Sequence, residues 1–338
     1  MNNTEGRYQH YFLVREMLGV KNVLAAMAPV EIFDFSAQIK HKKVLLTGEG
    51  SSRIFPAKKV IYDARQHNYK ENIITEGASQ ALEYDLDGHT VFIASNSGRT
   101  KECVYLLEAL KKKNHDNIMA VVAHKDSVIM NGADHTYLLK SGHEKAVAAT
   151  KTVIEQALFY DILFRKSNGK DCPDLNKTGE LFDLVLQKKI PDTMVNQLAA
   201  SDMIYFSGRN NGVSEELALK TNEITGKKSD YLEGTYAVHG VEEAMSKNEV
   251  MIIIDPFLEE ETKIQRMLVE TIGVIVIAIA SRTTSFPTLQ IPDSGEFTPY
   301  LQMAMGWNLL IETALALKMD LDHPKRARKI GNEYEQPV

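Results

Sequence analysis

The chain repeats itself at a fixed interval, and the repeated pieces read as strands. Val44-Leu45-Leu46-Thr47-Gly48 is answered by Ile204-Tyr205-Phe206-Ser207-Gly208, and Val91-Phe92-Ile93-Ala94-Ser95 by Met251-Ile252-Ile253-Ile254-Asp255. The interval from Gly48 to Gly208 is the same as that from Ala94 to Ile254. Between the two strands of each half lies a short Glu-Gly element, Glu76-Gly77 in the first half and Glu233-Gly234 in the second. After each second strand come a helical pattern and a further apolar run, at residues 118–123 and 273–280. Continuous apolar runs alternating with helical patterns imply βαβ units and a buried parallel sheet. Their recurrence implies two such domains related by internal duplication. The expected class is therefore α/β, with two tandem domains, each a doubly wound, flavodoxin-like αβα sandwich. The expected division is an N-terminal helical arm (1–30), a first domain (31–175), a second domain (185–322) and a C-terminal tail (323–338). A helix over residues 145–164 should close the first domain, followed by a polar linker at 165–179.

Two strand-to-helix turns of the first half are rich in hydroxyls. Ser95-Asn96-Ser97-Gly98-Arg99-Thr100 closes one apolar run and opens a helical pattern near Lys101. Gly48-Glu49-Gly50-Ser51-Ser52 does the same upstream, where Pro56 fits only the first turn of a helix. Helix N-termini present unpaired N–H groups at the positive end of the macrodipole, so Ser51, Ser52, Ser95, Asn96, Ser97 and Thr100 form a candidate oxyanion cradle. Such residues also serve as ordinary N-caps. Two of these turns at the carboxyl edge of one sheet should converge on one ligand, most simply a phosphate ester. Neither turn continues into a Walker-type Gly-Lys-Ser/Thr, and Gly48-Glu49-Gly50 lacks the third glycine of a dinucleotide fingerprint, so nucleotides are disfavoured.

Composition narrows the class further. With 338 residues, 44% of them hydrophobic, the chain can bury two cores of ordinary size. A net charge of −6 argues against nucleic acid or an anionic membrane as partner. The longest apolar run is far too short to span a bilayer, and the polar N-terminus has no secretory segment, so a cytoplasmic protein is expected. Cys103 and Cys172 are too few for a disulfide framework and have no histidine at ligand spacing, so neither a metal nor another cofactor is expected.

These residues resemble the sugar isomerase (SIS) domain family over nearly the whole chain, and within it the isomerase half of glucosamine-fructose-6-phosphate aminotransferase. The family's Cys-Gly-Thr-Ser turn corresponds to Glu49-Gly50-Ser51-Ser52, and its Ser-Gln-Ser-Gly-Glu-Thr to residues 95–100. Its Glu-x-x-Val-Ala-Ser-Thr-Lys looks like the stretch from Glu144 to Lys151, in a form similar to that of SIS-type glucosamine-6-phosphate deaminases. Tyr8-Gln9-His10-Tyr11 with Arg15-Glu16 resembles the segment that opens the aminotransferase's isomerase domain. No cysteine nucleophile follows Met1, so glutamine-derived ammonia is not expected from this polypeptide.

The resemblance implies a catalytic set. Ala218-Leu219-Lys220-Thr221-Asn222-Glu223 matches Ala-Leu-Lys-x-Lys-Glu, and His239-Gly240 follows Glu223 at the spacing the family keeps between these two groups. Glu223 is thereby the base that moves a proton between C1 and C2, and His239 the acid that opens the sugar ring. Lys220, one turn before Glu223, would stabilise enediolate charge. Lys329, in a stretch resembling Asp-x-Pro-x-x-x-x-Lys, would hold the open-chain ketose or form a Schiff base with it. Gly50, Val147 and Ala148 would touch the sugar. The family's proline after His-Gly is Val241 here, and its glutamates before the histidine and in the phosphate turn are Tyr236 and Arg99.

The resemblance further implies a homodimer with composite active sites acting on a small-molecule sugar phosphate. The expected activity is an isomerase-deaminase that converts an amino-sugar 6-phosphate to fructose 6-phosphate and ammonia. The alternatives are a deglycase of a phosphorylated Amadori compound, such as fructoselysine or glucoselysine 6-phosphate, and a sugar-phosphate sensor without turnover.

Overall fold

A computed structural model describes residues 1–2, 4–327 and 333–334. The first sheet consists of β1 (Lys43–Gly48), β2 (Asn72–Gly77), β3 (His89–Ser95), β4 (Ile118–Val122) and β5 (His135–Leu138), all parallel, in the order β2-β1-β3-β4-β5. The second consists of β6 (Met203–Gly208), β7 (Lys228–Glu233), β8 (Val250–Ile254), β9 (Ile275–Ala280) and β10 (Thr288–Gln290), again all parallel, in the order β10-β9-β8-β6-β7. Each order is the other's mirror listing, so the two sheets share one topology. In both, the chain starts at an inner strand, moves outward by one, then crosses back, which leaves a switch point between β1 and β3 and between β6 and β8.

The repeat in the sequence recurs in the geometry. A Cβ on Gly48 would lie 2.7 Å from the carbonyl oxygen of Ala94, and one on Gly208 would lie 2.8 Å from that of Ile254. Both pairs sit at the same place, where the first strand of a sheet ends against its crossover neighbour, and only glycine fits there.

The chain divides into two compact units that do not follow chain order. One comprises residues 22–145 and 149–176 with the described residues near the C-terminus, and contains the first sheet; the other comprises residues 1–21, 146–148 and 177–327 and contains the second. In the first unit the central strands β3 and β4 are buried along almost their whole length. One face packs Val91, Ile93, Ala120 and Val122 against Leu106, Leu107 and Leu110 of the helix Lys101–Lys112. The other presents Phe92 to Phe159, Tyr160 and Phe164 of the helix Lys151–Ser167, with ring centroids 5.6–6.4 Å apart. In the second unit Met251, Ile253, Val276 and Ala278 pack against Ile264 and Leu268, and Leu268 lies in the π-helical stretch Gln265–Ile272. The helix Thr298–Ala316 presses so closely on Val213–Thr225 that a Cβ at Gly306 would lie 2.4 Å from Leu217 Cδ2. Among the described residues no helix is long and apolar enough to cross a membrane.

The closing helix differs from the expectation. It begins at Lys151, not at 145, and runs to Ser167, while the expected linker is interrupted by the helix Leu175–Leu186. The Glu144 carboxylate captures the Thr150 N–H (2.8 Å) and the hydroxyls of Thr150 and Thr152, which ties residues 144–150 into a loop.

Candidate functional site

In the first unit, residues 95–100 form the turn between β3 and the helix Lys101–Lys112. Ser95, buried at the strand end, accepts from the Gly98 N–H (3.0 Å) and shares a 2.8 Å hydrogen bond with the Thr100 hydroxyl. Ser97 Oγ accepts from the Arg99 N–H at 3.2 Å. Gly98 has φ +63°, and a Cβ there would come within 2.1 Å of Ser127 Oγ, so the turn requires glycine. Thr100 occupies the N-cap position, but its hydroxyl caps no N–H of the helix. The helix N-terminus is therefore left without a side-chain cap beside a ring of hydroxyls, which is the chemistry of an oxyanion site.

The turn after β1 lies at the same carboxyl edge, on the adjacent strand. Gly50 (φ +52°), Ser51 and Ser52 form a 3-10 turn that leads into the helix Ile54–His67, again without a side-chain cap. Beyond β4 and β5, at that edge, His124 Nε2 and His143 Nδ1 lie 2.7 Å apart, a pair that no sequence spacing announced. Glu333 bridges to Thr100, and the Tyr334 N–H donates to the Arg99 carbonyl at 2.8 Å, so residues near the C-terminus lie against the turn. Lys329 lies outside the described residues.

The second unit carries Glu223 and His239. Glu223, about a quarter exposed, sits near the end of the helix Val213–Thr225 and accepts from Lys220 Nζ at 2.7 Å. Lys220 has no exposed surface and also pairs with Glu216 at 3.3 Å. Burial alone works to lower its pKa, but Glu223 and Glu216 more than offset this and hold it above the ordinary lysine value. Lys220 is thus a fixed cation one turn from Glu223, suited to electrostatic stabilisation and not to Schiff-base chemistry. His239 follows the 3-10 turn Tyr236–Val238, whose Ala237 and Val238 are buried in the second core. Those two residues anchor the loop and leave Tyr236 and His239 exposed. Glu223 and His239 form no hydrogen bond with each other.

The sugar-contacting candidates divide between the units. Gly50 belongs to the unit with the hydroxyl turns, whereas Val147 and Ala148 belong to the unit with the second sheet. Asn96 keeps its place in the turn, but its side-chain amide nitrogen is engaged elsewhere, donating to Glu144 Oε2 at 3.0 Å and to Thr152 Oγ1 at 3.2 Å. The role of Glu144 was not visible in the sequence. A glutamate in a motif gives no sign that it is fully buried, nor that its partner lies 48 residues away.

A doubly wound parallel sheet with uncapped, hydroxyl-lined helix starts at its switch point is an α/β architecture chemically suited to an oxyanion. Residues 39–166 match the family model of the SIS domain. Among curated proteins the chain is similar to the isomerizing glutamine–fructose-6-phosphate aminotransferase of Chlamydia pneumoniae, 26% identical over 70% of this chain and 42% of that protein. It thus spans less than half the length of that relative. Two solved structures share the fold over nearly the whole chain. The C-terminal domain of glucosamine-fructose-6-phosphate aminotransferase from Francisella tularensis superposes with TM-score 0.75 at 19% identity, covering 96% of this chain and 100% of that one. Glucosamine-6-phosphate deaminase from Thermotoga maritima superposes with TM-score 0.74 at 20% identity, covering 94% and 99%.

Proposed function

We propose that this protein is a phosphosugar isomerase-deaminase that converts an amino-sugar 6-phosphate and water to fructose 6-phosphate and ammonia. The observation that carries this reading is the turn at residues 95–100, where three hydroxyls surround an uncapped helix N-terminus. Ser51, Ser52, Ser95, Ser97 and Thr100 bind the 6-phosphate. His239 donates a proton to the ring oxygen, which opens the sugar to its aldehyde. Glu223 then removes the C2 proton and returns it at C1, with Lys220 stabilising the charge that develops on oxygen. The product imine takes up water at C2 and releases ammonia. Lys329 is assigned to hold the open-chain ketose. The two sheets descend from one duplicated domain, and the protein works in the cytoplasm.

A second reading, deglycation of a phosphorylated Amadori compound, is supported by exposed Arg99 and Tyr236, which stand where the family carries glutamates. Loss of two carboxylates favours a substrate whose amine carries a carboxylate of its own. A panel of 2-amino-sugar and Amadori 6-phosphates, with products identified by mass spectrometry, separates the readings. Ammonia release is the expected result, release of an amino acid establishes the deglycase, and binding without turnover establishes a sensor.

The enzyme is further proposed to be a homodimer whose active site takes the phosphate turns from one chain and His239 from the other. Ser97→Ala with Thr100→Ala should abolish productive binding of the phosphorylated substrate, and His239→Ala should abolish ring opening. Mixing the two inactive variants should restore up to about a quarter of parental activity, because half of the dimers are mixed and each has one intact site. Verified mixed dimers without turnover would show that each site is built within one chain.

A further inference from the structure

Glu144 is a buried carboxylate to which the proposed mechanism gives no role, yet it holds four donors. Oε1 accepts from the Thr150 N–H at 2.8 Å and from the Thr150 hydroxyl at 2.9 Å, while Oε2 accepts from the Thr152 hydroxyl and from Asn96 Nδ2 at 3.0 Å. Glu144 and both threonines are 0–1% exposed. The Asn96 amide nitrogen also lies 3.2 Å from Thr152 Oγ1, so that Glu144 and Thr152 share one of its hydrogens, and the Asn96 main-chain carbonyl is held by the Ala123 N–H at 3.1 Å. Asn96 Oδ1 accepts nothing from the described residues. A carboxylate only accepts hydrogen bonds, so this network admits one orientation of the Asn96 amide, nitrogen toward Glu144.

That orientation has a chemical consequence at the turn. A carbonyl oxygen repels a phosphate and attracts a hydroxyl. We propose that Glu144 is a positioning residue that fixes Asn96 with Oδ1 toward the ligand, making Asn96 an acceptor for a sugar hydroxyl and not a donor to the phosphate. The phosphate is left to Ser95, Ser97, Thr100 and the turn's N–H groups. The inference rests on the phosphosugar reading of this crevice and adds to it a preference for a hydroxyl-bearing chain over a bare oxyanion.

Glu144→Gln reverses the orientation. The oxygen of the new side-chain amide stays on the Thr150 N–H, which can only donate, and its NH2 group then faces Asn96 and Thr152. Asn96 flips to accept from it and presents its own NH2 group to the ligand. Affinities for fructose 6-phosphate and for inorganic phosphate, measured by calorimetry, should then diverge. Fructose 6-phosphate should lose about tenfold to a hundredfold, the range for an unmet hydrogen bond in a closed site, while inorganic phosphate changes by less than about threefold. Asn96→Ala, which leaves Glu144 its threonine donors, should show the same selective loss.

The swap Glu144→Gln with Asn96→Asp restores an acceptor, since one oxygen of the new carboxylate takes the NH2 group of the new amide and the other faces the ligand. The negative charge added beside the ligand weakens both ligands alike, so the ratio of the fructose 6-phosphate affinity to the inorganic phosphate affinity is the readout, and it should return to within about threefold of the parent. Equal loss of both ligands in Glu144→Gln, or a swap that rescues nothing, would reduce Glu144 to a purely structural role and overturn the inference. A parent protein that binds fructose 6-phosphate no better than inorganic phosphate would instead overturn the phosphosugar reading, and the inference with it.

Discussion

Glu223→Gln should lower turnover of the amino-sugar phosphate by about 10²–10⁴ while fructose 6-phosphate still binds. The substitution keeps the shape of the side chain and its capacity to accept from Lys220, but removes the basicity needed to lift a proton from carbon. The fold should survive, because the buried Lys220 ammonium keeps its second carboxylate, Glu216, at 3.3 Å. Exchange of a C1 hydrogen of fructose 6-phosphate with deuterated water isolates the step. Parental exchange rates in the variant would show that another group is the base.

The second large effect concerns stability. Lys59 is fully buried between Asp63 and Asp161, the latter at 3.0 Å, and links the helices Ile54–His67 and Lys151–Ser167 behind the first sheet. Lys59→Met should cost about 3–5 kcal/mol, measured by denaturant unfolding, because it removes the buried cation that lies between two buried carboxylates. The variant should also acquire a characteristic pH dependence. In the parent, burial and the neighbouring Asp161 raise the Asp63 carboxyl from its ordinary 3.8 to about 7, against the pull of Lys59. The folded chain then holds that proton more tightly than the unfolded one. This contribution is complete below pH 3.8 and is lost as pH rises through 7. Without the Lys59 charge the carboxyl rises further, so the deficit of the variant should narrow as pH falls from about 8 to about 6. A deficit that is constant with pH would mean that the two aspartates do not share the buried charge.

Much of the architecture was present in the order of residues. Runs such as Val91-Phe92-Ile93-Ala94 are apolar on both faces, which only a covered parallel strand accommodates, and their recurrence at a fixed interval maps onto β1 with β6 and β3 with β8. The hydroxyl turn at residues 95–100 could be read in the same way, because Gly98 and the flanking serines act on near neighbours in the chain. Local chemistry of that range is carried by the chain itself.

Other features depend on contacts that no local pattern encodes. The helix that starts at Lys151 was expected to start earlier because apolar periodicity runs on through 145–150, while the buried Glu144 carboxylate holds that stretch out of the helix. The grouping of residues 1–21 and 146–148 with the second sheet has no counterpart in chain order. The spacing of Lys220 and Glu223 puts them one turn apart on a helix and says no more. What makes the lysine a permanent cation is its complete burial and a second carboxylate, Glu216. The orientation of the Asn96 amide was likewise settled by Glu144, 48 residues along the chain. The sequence by itself determined the strands, their repetition and the hydroxyl turns, because periodicity and turn chemistry act over a few residues. The tertiary structure alone decided which side chains are cut off from water and which distant partners they meet, because desolvation and long-range hydrogen bonding exist only once the sheets are packed.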